Sequence, residues 1–145
     1  MYVVDTNLYV RAETDPVFRA ALRAFLDRAA PAVVVSTVVL HELLVVARTR
    51  PAREAVLRAV MAPAQRPLRV VDTDLVVWRE AAVIVEAIAG LKAYDDKLRT
   101  ANFRHDVLIA ASCRRVGATL VTANRKDFTL IASVRGFRFA TSFPE

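Results

Sequence analysis

The sequence predicts a three-layer α/β/α domain with a central parallel sheet of four to five strands. Two observations point there. Short, wholly apolar, β-branched runs alternate with segments of helical periodicity, and strands apolar on both faces belong in a buried parallel sheet. The chain is also 55% apolar with only three glycines, a composition that suits a compact protein rich in regular elements and excludes a disordered one.

Tyr2–Val4 is the first run, closed by Asp5-Thr6-Asn7, the pattern of a buried strand feeding a loop. From Pro16 to Ala29, Val17, Phe18, Ala21, Leu22, Phe25 and Leu26 recur at three- and four-residue spacing. The spacing predicts an amphipathic helix opened by Asp15-Pro16. Ala32–Val35 is a second strand, after which Ser36 or Thr37 can cap a helix carrying Leu40, Leu43, Leu44 and Ala47. Arg53–Met61 is a further helix, ended by prolines in the loop Ala62–Pro67. Leu68–Val71 reads as a third strand. Asp72-Thr73-Asp74 forms a cap cluster for a long helix to Ala89, stopped by Gly90. Lys92–His105 is polar and mixed, and Val107–Val116 is helical with Gly117 as its C-terminal cap. Ala118–Val121 is a fourth strand and Arg138–Ala140 a short fifth.

At 145 residues the chain is expected to form a single domain, residues 1–145, with a substantial core. The lone cysteine, Cys113, excludes an internal disulfide framework and a zinc cluster. Its neighbours Ala110, Ala111 and Ser112 in a helical pattern make it a packing residue rather than a nucleophile. The chain starts directly on a strand, leaving no room for a signal peptide. The most apolar stretches, Ala32–Ala47 and Leu75–Ala89, are interrupted by His41-Glu42 and by Arg79, Glu80 and Glu86. They fall short of the roughly 18 charge-free residues a membrane helix needs, so a soluble, cytoplasmic protein is expected, with no membrane association. Net charge is +6, with eighteen arginines against three lysines. Guanidinium forks suit phosphate, so a basic rim beside an acidic site would hold a nucleic-acid backbone over a metal.

The acids carry the chemistry. Asp5 follows its strand directly, so its carboxylate should project from the carboxyl edge, where parallel sheets bind ligands. Thr6 and Asn7 can bond its free oxygen, although Asp-Thr-Asn also makes turns and helix caps. Glu42 lies within Val38, Val39, Leu40, Leu43, Leu44 and Val45, a costly place for a charge unless it is paired or holds a cation. Its alternative is a narrow solvent-facing stripe. Asp106 opens the run Asp-Val-Leu-Ile-Ala-Ala-Ser, where a helix N-cap competes with a ligand role. Thr122-x-Asn124-x-x-Asp127-Phe128 follows the fourth strand without a gap. Thr122 can orient a carboxylate or phosphate oxygen, and Asn124 and Asp127 can complete the set, unless the segment is only a turn before a helix. His41 and His105 each adjoin an acid, but adjacent helical positions face about 100° apart, which makes both ordinary residues.

Four segments together resemble the PIN domain, and more closely its VapC-type ribonuclease toxins. They are Val3-Val4-Asp5-Thr6-Asn7, Ser36-Thr37-Val38-Val39-Leu40-His41-Glu42-Leu43, Asp106-Val107-Leu108-Ile109-Ala110-Ala111, and Gly117-Ala118-Thr119-Leu120-Val121-Thr122-x-Asn124-x-x-Asp127-Phe128. The resemblance implies a parallel-sheet nuclease fold, dependence on Mg²⁺ or Mn²⁺, and endonucleolytic cleavage of RNA, single-stranded or structured such as tRNA. It also implies a cognate antitoxin that blocks the site, and a homodimer. By the family pattern Asp5, Glu42 and Asp106 are the core acids, and the fourth place falls to Asn124 or Asp127. Hard divalent ions take few carboxylates and keep several waters. Asp5 and Asp106 are then direct ligands, Glu42 a ligand or an orienter of water, and Asn124 or Asp127 a second-site ligand, with Asp127 among the catalytic acids. Three rivals remain open: a PIN-like nuclease outside any toxin–antitoxin pair, a non-catalytic RNA- or protein-binding module, and a phosphoryl-transfer enzyme with an aspartyl nucleophile. The last class wants a second aspartate where Asn7 stands.

Overall fold

Valine-rich runs too short to stand alone pair with one another in the computed structural model, which describes residues 1–61 and 69–145. Strands β1 (Tyr2–Val4), β2 (Val33–Ser36), β3 (Val70–Val71), β4 (Thr119–Val121) and β5 (Arg138–Ala140) form one five-stranded sheet in the order β3-β2-β1-β4-β5. Every pairing is parallel. Val3 lies level with Val34 on one side and Leu120 on the other. Because side chains alternate along a strand, these three enter the larger core, while Val4, Val33 and Val121 enter a second core on the opposite face.

Helices cover both faces. On one side α1 (Thr6–Thr14) and α2 (Pro16–Ala29) supply Leu8, Ala12, Leu22, Phe25 and Leu26 to the second core. On the other, α3 (Thr37–Val46), α4 (Arg50–Met61), α5 (Leu75–Gly90), α7 (Ala101–Val116) and α8 (Arg125–Val134) enclose the larger one, with the short α6 (Asp95–Leu98) against α7. Glu80 of α5 accepts from Arg114 of α7 and Arg135, just past α8, each at 2.7 Å, tying three helices together. Among the described residues, no helix is long and apolar enough to cross a membrane. Cys113 is fully buried in the larger core, and burial pushes its thiol pKa up, which makes it inert packing.

Several local expectations change. Asp5-Thr6-Asn7 does not open a loop: α1 begins at once at Thr6. Helix α4 starts at Arg50 rather than Arg53, because Pro51 fits the first turn, where its missing N–H costs nothing. The chain leaves α5 through Lys92, whose φ is 56°, and not through a left-handed Gly90. The second and fourth strands each start one residue later than their apolar runs, at Val33 and Thr119. The third strand is observed at Val70–Val71; the expected loop Ala62–Pro67 and Leu68 lie outside the described residues. Finally, α7 starts at Ala101, capped by Thr100. Asp106 therefore lies inside that helix, and the capping explanation for it falls.

Candidate active site

The chain crosses from β1 outward to β3 and returns to β4 beside β1. The carboxyl ends of β1 and β4 thus flank the point where strand order reverses, the place where open parallel sheets bind ligands. Asp5 and Thr122 are the first residues past those two ends. The Asp5 N–H still donates to the Val121 carbonyl at 2.9 Å and the Thr122 N–H to Ala140 at 3.0 Å, so the ladder fixes both side chains.

Asp5 is 3% exposed and stands at the N-cap position of α1, yet its carboxylate caps nothing. Its Oδ2 instead accepts from Thr122 Oγ1 at 2.5 Å and from Asn7 Nδ2 at 2.6 Å. Asn7 is held in turn, with its Oδ1 accepting from the Ala123 N–H at 3.1 Å. Burial raises the Asp5 pKa, and the charge of Glu42 adds to it, against the lowering effect of the Thr122 and Asn7 hydrogen bonds. Of the three residues expected to support the acids, Asn7 and Thr122 bond Asp5, while the Thr6 hydroxyl bonds Glu42.

Glu42 projects from the second turn of α3. One carboxylate oxygen accepts from Thr6 Oγ1, and the other lies 2.9 Å from His105 Nδ1 on α7. Asp106, one residue further along α7, accepts from Asn124 Nδ2 at 3.1 Å. Its pKa is pushed up to about 8, first by burial and then by the charges of Asp5, Asp127 and Glu42, with Lys97 opposing. Asp127, in the first turn of α8, accepts from Lys97 Nζ and from Asn124 Nδ2. Burial raises its pKa, but the hydrogen bonds from Lys97 and Asn124 outweigh this and hold it below the ordinary value.

Asn124 is the N-cap of α8. Its amide oxygen accepts from the Asp127 N–H at 3.3 Å, while its NH₂ group sits between Asp106 and Asp127, 3.1 Å from each. The structure thus brings together every acid singled out in the sequence. It also adds His105, which sequence reasoning set aside as an ordinary residue, and Lys97, which it did not consider. His105 directly precedes Asp106, so the helical turn between them aims it at α3; its ring also meets His41 edge-on, with centroids 5.9 Å apart. Lys97 carried no local signal, because only the packing of α6 and α7 brings it to α8.

Asp5, Glu42, Asp127 and Asp106 repel one another and face Lys97 as the opposing charge. Among the described residues no three acid, histidine or cysteine side chains stand close enough together to hold one ion as they are placed. The donor set still fits a hard divalent cation: it is all oxygen, it carries excess negative charge, and such an ion needs only one or two carboxylates directly.

An apolar groove of about 970 Å³ opens beside the acids, between α1–α2 and α3–α4. Leu22, Leu26, Leu43, Val46, Val56 and Val60 line it, and Arg19, Arg23, Glu13 and Asp27 stand at its edges. Leu43 adjoins Glu42 in α3, so groove and acids share a helix.

The PIN domain family model matches residues 2–133. The chain belongs to the PIN domain family. This PIN domain is similar in fold to several solved structures. One is the DNA-bound VapBC of Salmonella typhimurium, at 22% identity and a TM-score of 0.69 over 96% of both chains. Another is VapBC2 of Rickettsia felis bound to a promoter DNA fragment, at 21% and 0.63 over 96% of both. A third is FitAcB of Neisseria gonorrhoeae, at 17% and 0.67 over the same shares. Among curated proteins, none matches the chain.

Proposed function

We propose that this PIN-family nuclease is a Mg²⁺- or Mn²⁺-dependent endoribonuclease and the toxin of a toxin–antitoxin pair. The observation that carries the nuclease reading is the convergence of four acids at the strand-order reversal, where burial first and their mutual repulsion second raise Asp106 to about 8 in a chain of this family. A bound divalent cation supplies charge neutralisation at the scissile phosphate and an activated water.

The residues divide the remaining work. Asp5 and Asp106 hold the cation, Asp5 with its rotamer locked by Thr122 and Asn7. Glu42, fixed through both oxygens by Thr6 and His105, orients the attacking water and accepts its proton. Asp127 fills the fourth acidic place. Asn124 serves it as a spacer, since its NH₂ faces the acids and its oxygen faces its own helix. The net charge of +6 draws the RNA backbone towards this acidic pocket. A module that only bound polyanions would gain nothing from such a pocket, so binding without catalysis is the weaker reading. Cleavage of single-stranded RNA by the purified chain tests the proposal: it stops in EDTA and returns with Mg²⁺ or Mn²⁺. Full activity in chelator refutes it.

The toxin reading rests on the groove. Helices α2 and α4 line an apolar cleft of about 970 Å³, a surface suited to an amphipathic antitoxin helix with a basic residue reaching the acids. The FitAcB and VapBC folds support this reading by likeness. A homodimer is proposed on α5, where Leu75, Val76, Trp78 and Val83 are 73%, 51%, 55% and 45% exposed, since clustered apolar residues mark association surfaces. A harmless monomer with no adjacent small reading frame would remove the toxin assignment and leave the nuclease.

A further inference from the structure

Lys97 is oddly placed for a surface lysine. It belongs to a four-residue helix, α6, yet its ammonium donates to Asp127 on α8 and lies 5.2 Å from the centre of the Phe103 ring on α7. The Lys97 and Asp127 side chains are only 27% and 19% exposed. The pair is thus sheltered, at the rim of a cluster in which, among the described residues, Asp5, Glu42 and Asp106 have no ion-pair partner other than His105 on Glu42. A sheltered cation offsets part of the excess negative charge, and breaking such a pair leaves a carboxylate uncompensated. A lysine is suited to release it, being a point charge on a flexible stem with three donors and no fixed fork.

We propose that Lys97 is an exchangeable counter-charge: it neutralises Asp127 while the acids lack a divalent cation, and passes to a phosphate oxygen of the RNA backbone once the cation binds. The inference rests on the nuclease reading above and assigns Lys97 as a substrate-positioning residue within it. Two consequences follow. Lys97 competes with the cation, and its contribution to RNA binding is conditional on metal.

The test uses the full chain, Mn²⁺ titrated by calorimetry, and a short fluorescent single-stranded RNA followed by anisotropy under non-cleaving conditions on ice. Lys97→Met should tighten Mn²⁺ by about fivefold to tenfold, the scale of one partly sheltered ion pair. It should weaken RNA binding by a similar factor with Mn²⁺ present and leave RNA binding in EDTA unchanged, while Lys97→Arg retains RNA binding. Asp127→Asn provides an independent route if Lys97→Met folds poorly. It frees Lys97, so RNA affinity in EDTA should rise, and the gain should vanish in the double variant K97M/D127N. A wild-type chain that binds Mn²⁺ as tightly as Lys97→Met overturns this inference alone. So does an RNA loss in Lys97→Met that is equal with and without metal. A wild-type chain that binds no Mn²⁺ overturns the nuclease reading and the inference with it.

Discussion

Replacing Asp106 by asparagine removes one negative charge from the acid cluster while keeping shape and an oxygen able to accept from Asn124 Nδ2. Since Asp106 lies within α7 and caps nothing, no helix-end bond is lost. Its carboxyl holds a proton up to about 8 against an ordinary 3.8. At about 1.4 kcal/mol per pH unit this sets a ceiling on the order of 6 kcal/mol for the cost of the ionised form. Asp106 is only partly buried, and water and neighbouring side chains relax around it, so about 2 kcal/mol is expected. The direction follows from proton binding. The folded pKa is raised above the unfolded one, so the native state binds more protons between about 4 and about 8, and stability falls as pH rises through that window. Thermal melts in EDTA should show the wild-type chain losing stability from pH 5 to pH 8. Asp106→Asn should flatten that slope and melt roughly 4–8 °C higher at pH 8, as scales for a chain of this length. Mg²⁺ should restore the wild-type chain at high pH and leave the variant, which has lost cleavage, unchanged. An Asp106→Asn protein that melts below wild type at pH 8 and keeps the wild-type slope would refute the charge-repulsion account.

Three further outcomes are expected. Asn124→Asp turns two hydrogen bonds into contacts between carboxylates, so the metal-free fold should lose about 1–3 kcal/mol while Mg²⁺ binds more tightly; calorimetry and melts that match wild type would show that Asn124 is remote from the ion. Asp127→Ala should weaken both Mg²⁺ binding and cleavage by a moderate factor, and full activity with full metal affinity would reduce Asp127 to a helix-end residue. In the groove, Val46→Glu, at a side chain 69% exposed, should abolish capture of the cognate antitoxin while leaving RNA cleavage intact, measured by co-purification and by cleavage of the same RNA; undiminished capture would place the partner elsewhere.

The strands were legible because two-sided burial explains runs such as Val33-Val34-Val35, and all but the third start within a residue of their apolar runs. Asp5 and Glu42 stood out for the related reason that charge in apolar surroundings needs a cause. Helix α1 was hidden because its first residues, Asp5-Thr6-Asn7, have turn chemistry and only Leu8 and Ala12 face the core; packing against α2 overrides local preference there. The start of α7 was hidden in a polar stretch whose only buried side chain before Val107 is Phe103, and missing that start made Asp106 look like a cap. The histidines were judged by their neighbours in sequence. His105 meets Glu42 across two helices, and no spacing along the chain encodes that meeting, nor the one between Lys97 and Asp127.

Strands β1 and β4 are neighbours in the sheet although one is made of the first residues and the other of Thr119–Val121. That adjacency sets a timetable for synthesis. A growing chain can fold its amino-terminal helices as they emerge, but β1 keeps one edge unpaired until β4 leaves the ribosome. Until then Asp5 lacks its Thr122 partner, Asp106 lacks Asn124, and Asp127 does not yet exist to join them. An interrupted translation product therefore carries the first acids without the last, and the acid cluster is complete only once α8 has joined it.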